Sequence, residues 1–146
     1  PDLDCVDVRL DRQAHLYDVR MGNYLGNVDR IETRIPAGGA GFYALLRYRV
    51  SELRVNASAE GQKAESGIAC ELRTARGQLG DHVVHVRVRG PDGTWAPAYE
   101  RNVLAHKGRV AFSVPFALSD PVGEWTIVCR DVASGVEGRA TILRKP

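Results

Sequence analysis

Residues 80–93, GDHVVHVRVRGPDG, constrain this chain more than any other stretch. Val84, Val86 and Val88 alternate with His85, Arg87 and Arg89, and the run ends in Pro91-Asp92-Gly93. A period of two puts one set of side chains on each face of an extended strand. Pro presets φ, Asp caps its own turn and Gly supplies positive φ, so the strand feeds a tight turn. Units of this kind fill the sequence, and no segment carries the period of a sustained amphipathic helix. The expected class is therefore an all-β, antiparallel β-sandwich of immunoglobulin-like type with a small additional N-terminal antiparallel sheet.

Residues 51–146 carry seven strand candidates. Leu53, Val55 and Ala57 share one face, as do Ile68, Cys70 and Leu72 on the next strand. The strand of Val84 follows, then a less regular one over 99–104. Val110, Phe112, Val114 and Phe116 mark the fifth, Trp125, Ile127 and Cys129 the sixth, and Ala140 and Ile142 the last. Each apolar face must be buried against another sheet, which suits two facing sheets. Pro115 inside its strand points to an edge or a bulge. Connectors at 77–80, 91–93, 107–108, 120–123 and 134–135 carry Gly, Pro, Asp or Ser.

Residues 1–50 form a separate group with four expected strands, around Val6 to Leu10, His15 to Val19, Ile31 to Ile35 and Phe42 to Tyr48. The last is apolar on both faces through Phe42, Tyr43, Leu45 and Leu46, which predicts burial on both sides. Fifty residues of strand bury too little surface to stand alone. This piece is expected to lean on the sandwich that follows, or on a domain before it, with the junction near Arg49 to Glu52.

The 146 residues suit one domain or two small ones. A net charge of +2 gives no electrostatic case for nucleic acid or an anionic membrane as partner. Among the twenty basic residues only Lys63, Lys107 and Lys145 are Lys, a bias read as codon usage in a GC-rich genome. No apolar run reaches the ~20 residues of a membrane helix. The chain begins PDLDCVDV without Met, as expected of a processed product or a piece of a longer protein.

No active-site constellation is expected. His82 and His85 are three apart on a strand and fall on opposite faces, so they cannot share a metal, and no metal site or cofactor is expected. His15 and His106 lack partners at ligand spacing. The carboxylates sit at outward strand positions or in turns, as with Asp7, Glu71, Asp92 and Asp120, and none forms a privileged pair. No GxSxG elbow occurs. Cys5, Cys70 and Cys129 form no CxxC. Cys70 and Cys129 face inward on their strands and are either a bridge between the sheets or two buried thiols; the bridge would contribute about 4 kcal/mol by loop closure. Trp125 is in phase with the core. Trp95, in the polar stretch DGTWAPAYE with Tyr99, is the best candidate for a ligand contact. The alternative is a loop aromatic folded over the core.

Residues 15–48, HLYDVRMGNYLGNVDRIETRIPAGGAGFYALLRY, carry Tyr17-Asp18, Met21-Gly22-Asn23, Leu25-Gly26, a strand over 31–35, a Pro-Gly loop over 36–39 and a strand over 43–46. This order resembles the C-terminal β-sandwich that follows the catalytic barrel in bacterial glycoside hydrolases of the α-galactosidase type. Residues 53–143, through GDHVVHVRVRGPDG and SDPVGEWTIVCRDVASG, resemble immunoglobulin-like or macroglobulin-like modules of large bacterial extracellular proteins. The resemblance implies an accessory region, extracellular or periplasmic, beside the catalytic domain of a parent enzyme. The catalytic carboxylates of such enzymes lie on the barrel, so no catalytic residue is carried over. Two further readings are a carbohydrate- or protein-binding module using Trp95 and Tyr99, and a free-standing small enzyme.

Overall fold

The computed structural model describes residues 3–58 and 65–145. Ten strands follow in order: β1 Leu3–Asp18, β2 Asn23–Pro36, β3 Tyr43–Leu46, β4 Val50–Ser58, β5 Glu65–Thr74, β6 His82–Arg89, β7 Arg101–Ala105, β8 Arg109–Pro115, β9 Gly123–Asp131 and β10 Glu137–Arg144. A single 3-10 turn, Pro97–Tyr99, precedes β7. The strands form three antiparallel sheets, ordered β2-β1-β3, β4-β5-β8 and β10-β9-β6-β7.

The last two sheets make the sandwich. Leu53, Ile68, Cys70, Leu72 and Val114 from one sheet meet Val84, Val86, Val88, Trp125, Ile127, Cys129 and Ile142 from the other, all buried. These are the in-phase residues of each alternating run, so the period of two has become one oily layer. Each fully buried Val, Leu or Ile contributes about 1.5–3 kcal/mol. Tyr48 and Val50 also belong to this core, so the chain enters the sandwich just before β4. Pro115 is the final residue of β8, an edge strand, where its missing N–H breaks no ladder. Gly138 on β10 lies against β4: a Cβ there would collide with the Leu53 carbonyl oxygen. Bare backbone is what lets these two edges close together.

The β7–β8 turn is built at Lys107 and Gly108, with φ of 48° and 76°. Asp81 holds it by accepting the Lys107 N–H at 2.9 Å, which draws the Asp81 carboxyl below its ordinary range.

The N-terminal sheet differs from the expectation in two ways. The two strands expected around Val6 and His15 are one strand. Between Arg9, opposite Arg30, and Ala14, opposite Val28, β1 carries four residues where β2 carries one. Leu10, Asp11, Arg12 and Gln13 include no Gly or Pro, so the chain bulges here rather than turning. The bulge bends the ribbon. Thr33 sits opposite Val6, twelve residues along β1 from Asp18, the partner of Tyr43. A straight strand would separate those positions by ~40 Å. The Thr33 and Tyr43 hydroxyls are instead hydrogen-bonded at 2.6 Å, so the outer half of the hairpin folds back over β3.

The second difference is β3 itself. It pairs only with β1, and Phe42 and Leu45 are half-exposed at 52% and 50%. The expected burial on both faces is therefore wrong. Phe42 and Leu45 differ in parity, so each face keeps a half-exposed apolar side chain, and Phe42 is only partly shielded by the Arg20 guanidinium, 5.1 Å from its ring centre.

Candidate functional site

Three places gather chemistry-bearing side chains: a polar chain inside the sandwich, the seam between hairpin and sandwich, and the outer face of the four-stranded sheet.

The polar chain starts at His82. It is in phase with Val84, Val86 and Val88, so it points inward and is 4% exposed. Its Nδ1 lies 2.8 Å from Asp131 Oδ1, and its Nε2 lies 2.9 Å from the Tyr48 hydroxyl. Asp131 is fully buried, and its other oxygen accepts the Ser134 N–H at 2.9 Å and the Ser134 hydroxyl. The Tyr48 oxygen also accepts the Gly80 N–H at 2.8 Å. One proton assignment satisfies every member. His82 donates from Nδ1 to the carboxylate, and Tyr48 donates its O–H to Nε2. Among the described residues no buried side-chain polar atom lacks a partner.

This arrangement inverts nucleophilic catalysis. Asp131 stands between His82 and Ser134, so the serine hydroxyl faces the carboxylate rather than the base. The hydroxyl on Nε2 belongs to Tyr48, a buried core residue that also caps the backbone at Gly80. The four side chains are bound to each other and to backbone, which is a structural network.

That network shapes the seam. Gly135, at φ 75°, closes the turn after Asp131, and its N–H donates to the Asp131 carbonyl at 2.8 Å. The turn presses against the hairpin tip: a Cβ on Gly135 would lie 2.6 Å from Gly22 Cα. On the other side of the seam, the Val50 N–H donates to the Tyr17 hydroxyl at 2.9 Å. Burial pushes the Tyr17 hydroxyl above its ordinary pKa. Hydrogen bonds, close packing and two short stretches of chain (48–50 and 17–22) thus run in a closed ring: Tyr17, Val50, Tyr48, His82, Asp131, Gly135, Gly22. A crevice of about 400 Å³ lies along this ring, lined in part by Tyr17, Tyr24, Arg49, Ser51 and Ser134. The Arg49 guanidinium covers the Tyr24 ring at 4.5 Å. Tyr17→Phe strands the Val50 N–H, and the expected loss is about 1–2 kcal/mol, read as a lower urea midpoint at unchanged slope.

The sulfurs of Cys70 and Cys129 face each other across the two sheets at 3.5 Å, as free thiols. The hydrogen bond from Cys70, then burial, push the Cys129 thiol far above its ordinary pKa. Both sulfurs are buried out of a reagent's reach, so both should resist a disulfide reagent in the native state and react on unfolding. Cys5, exposed on β1, should react at once. One thiol titrating natively and three in urea is the expected count; rapid native labelling of all three would contradict this placement.

The candidate ligand residues are placed apart. Tyr99 folds inward, edge-on to Phe116 at 5.5 Å and to Trp125 at 6.2 Å. Its hydroxyl donates to Asp120 and accepts the Ala117 N–H at 3.0 Å. Burial and the Asp120 contact raise its pKa. Trp95 lies on the outer face of the four-stranded sheet, 42% exposed, paired across the edge with Arg89. The Arg87 guanidinium stacks on it at 3.7 Å. Beside this stack runs a shallow groove of about 240 Å³, lined by His85, Arg87, Glu100, Val128, Arg130 and Glu137. His85 points into it, on the opposite face from His82.

Sequence reasoning missed the buried network. Two signals were available: His82 shares the inward phase of the valines, and Asp131-x-x-Ser134-Gly135 has the form of a side-chain-capped turn. The chain matches no protein-family model and no curated protein sequence.

Proposed function

We propose that this chain is a non-catalytic accessory region of a larger, secreted bacterial carbohydrate-active enzyme. Its immunoglobulin-like sandwich would be a rigid support beside a catalytic domain, with the folded-back hairpin as part of the same support. The observation that carries this reading is the use made of the buried polar groups. His82, Asp131 and Ser134 are the buried polar residues among those described, and each is spent on holding another. An active site needs such groups left over for a substrate.

The purified chain is expected to leave aryl glycosides intact and to raise the thermal midpoint of the parent catalytic domain when the two are joined. Hydrolysis that is lost with an acidic-residue substitution in this chain would overturn the reading. A second reading, binding of carbohydrate, is favoured by one observation: Trp95 presents an aromatic ring on a sheet face beside a groove of polar side chains.

A further inference from the structure

We propose that the outer face of the β10-β9-β6-β7 sheet is a subsite for an acidic sugar, a uronate unit within a glycan. This inference rests on the carbohydrate-binding reading above and names its ligand class.

The face is assembled by register. His85 pairs with Arg130 and Asn102, Arg130 with Glu137, and Arg87 with Val128. Neighbouring strands are ~4.8 Å apart and alternate residues ~6.8 Å apart, so these side chains fall within the span of one or two sugar rings. Arg87, Arg89 and Arg130 have no carboxylate within 4 Å among the described residues, although all three are only half-exposed. Their neighbours on the face are already engaged: Glu100 with His85 at 3.2 Å, and Glu137 with Arg139 at 3.6 Å. Arg87 and Arg130, neither with a carboxylate within 4 Å among the described residues, therefore line a groove floored by buried Val128.

The mixture of groups selects the ligand. A guanidinium presents a flat fork that matches a carboxylate with two parallel hydrogen bonds. Stacking on Trp95 holds the Arg87 fork in one plane and leaves its edge free. Glu100 and Glu137 are acceptors that a sugar's hydroxyls can fill. Trp95 offers a ring edge and face to the sugar's C–H surface. A uronate unit carries a carboxylate for the arginines and hydroxyls for the glutamates. A nucleic acid or an acidic peptide brings the charge but fewer hydroxyls for Glu100 and Glu137 to accept from. A neutral sugar leaves the arginines unmatched.

The test uses the whole chain and four probes: tetragalacturonate, its methyl ester, a neutral xylotetraose and poly-glutamate of equal charge. Binding is read by titration calorimetry and by amide shifts in an NMR spectrum. Tetragalacturonate is expected to shift Arg87, Val128, Arg130 and Trp95 amides, with the ester and xylotetraose at least tenfold weaker. Arg87→Ala and Trp95→Ala should each weaken binding about tenfold, a change of ~1.4 kcal/mol. Arg87→Lys should recover little, because the fork and not the charge is what matches. Unchanged circular dichroism shows that these surface variants fold. Equal binding of poly-glutamate would give the face to an acidic peptide, and equal binding of the ester would remove the carboxylate from the argument. No binding by any probe would end this proposal and leave the accessory reading standing, since that falls only to hydrolysis.

Discussion

Asp131→Ala is expected to lower the folding stability of this chain by about 3–5 kcal/mol, because it leaves three buried donors without their acceptor at about 1–3 kcal/mol each. The variant strips the acceptor from His82 Nδ1, from the Ser134 N–H and from the Ser134 hydroxyl at once. Each is buried, and water cannot reach in to replace the carboxylate without opening the turn. The consequences spread along the network. His82 loses the bond that fixes its tautomer, Tyr48 then lacks an oriented acceptor, and the Gly80 N–H depends on Tyr48. Ser134→Ala removes a single hydroxyl and should cost only about 1 kcal/mol. Urea unfolding of the three proteins checks the order. A small effect for Asp131→Ala, within 1 kcal/mol of the parent, would mean that the carboxylate is not held as described.

Gly135→Ala should be the second large effect, about 2–4 kcal/mol. Two costs add. The residue sits at φ 75°, where a Cβ crowds its own backbone. The same Cβ would come to 2.6 Å from Gly22 Cα and 2.7 Å from the Gly22 carbonyl oxygen. Those are backbone atoms, which cannot rotate aside, so the hairpin tip must lift from the sandwich. Gly93 separates the two costs. Its φ is 82° and a Cβ there would meet nothing within 4 Å. Gly93→Ala should therefore lose only the conformational part, about 1–2 kcal/mol. If the two variants are equally stable, the hairpin tip does not rest on Gly135.

The sandwich was legible because its code is local. Leu72, Val86 and Ile127 each sit in an alternating run, and alternation alone decides which face is buried. The turns were legible for the same reason: Lys107-Gly108 and Ser134-Gly135 carry their backbone requirement in their residue types. The hairpin was read less well. Nothing in Leu10-Asp11-Arg12-Gln13 distinguishes a bulge from a strand end, because the distinction lies in what β2 places opposite. Phe42 and Leu45 misled for a related reason. What covers each face of a strand is set by distant partners, which the strand's own apolar residues do not name.

The polar ring was hidden by distance along the chain. Tyr48, His82 and Asp131 come from three separate segments, and only folding shows that they are consecutive in space. Trp95 and Tyr99, four residues apart, show the converse. The 3-10 turn between them sends one ring outward onto Arg87 and the other inward onto Phe116. Nearness in sequence was no guide to a shared site.

Hairpin and sandwich are expected to unfold as a single unit, joined by the ring from Tyr17 to Gly22. Native-state hydrogen exchange at the Val50 and Gly80 amides tests it most directly, since each is bonded to a tyrosine hydroxyl of that ring. Both should exchange only through global unfolding, with the same free energy as Val86 and Ile127 in the core. Exchange of Val50 at a much lower opening energy, with Val86 still protected, would show a hairpin that detaches while the sandwich stays folded.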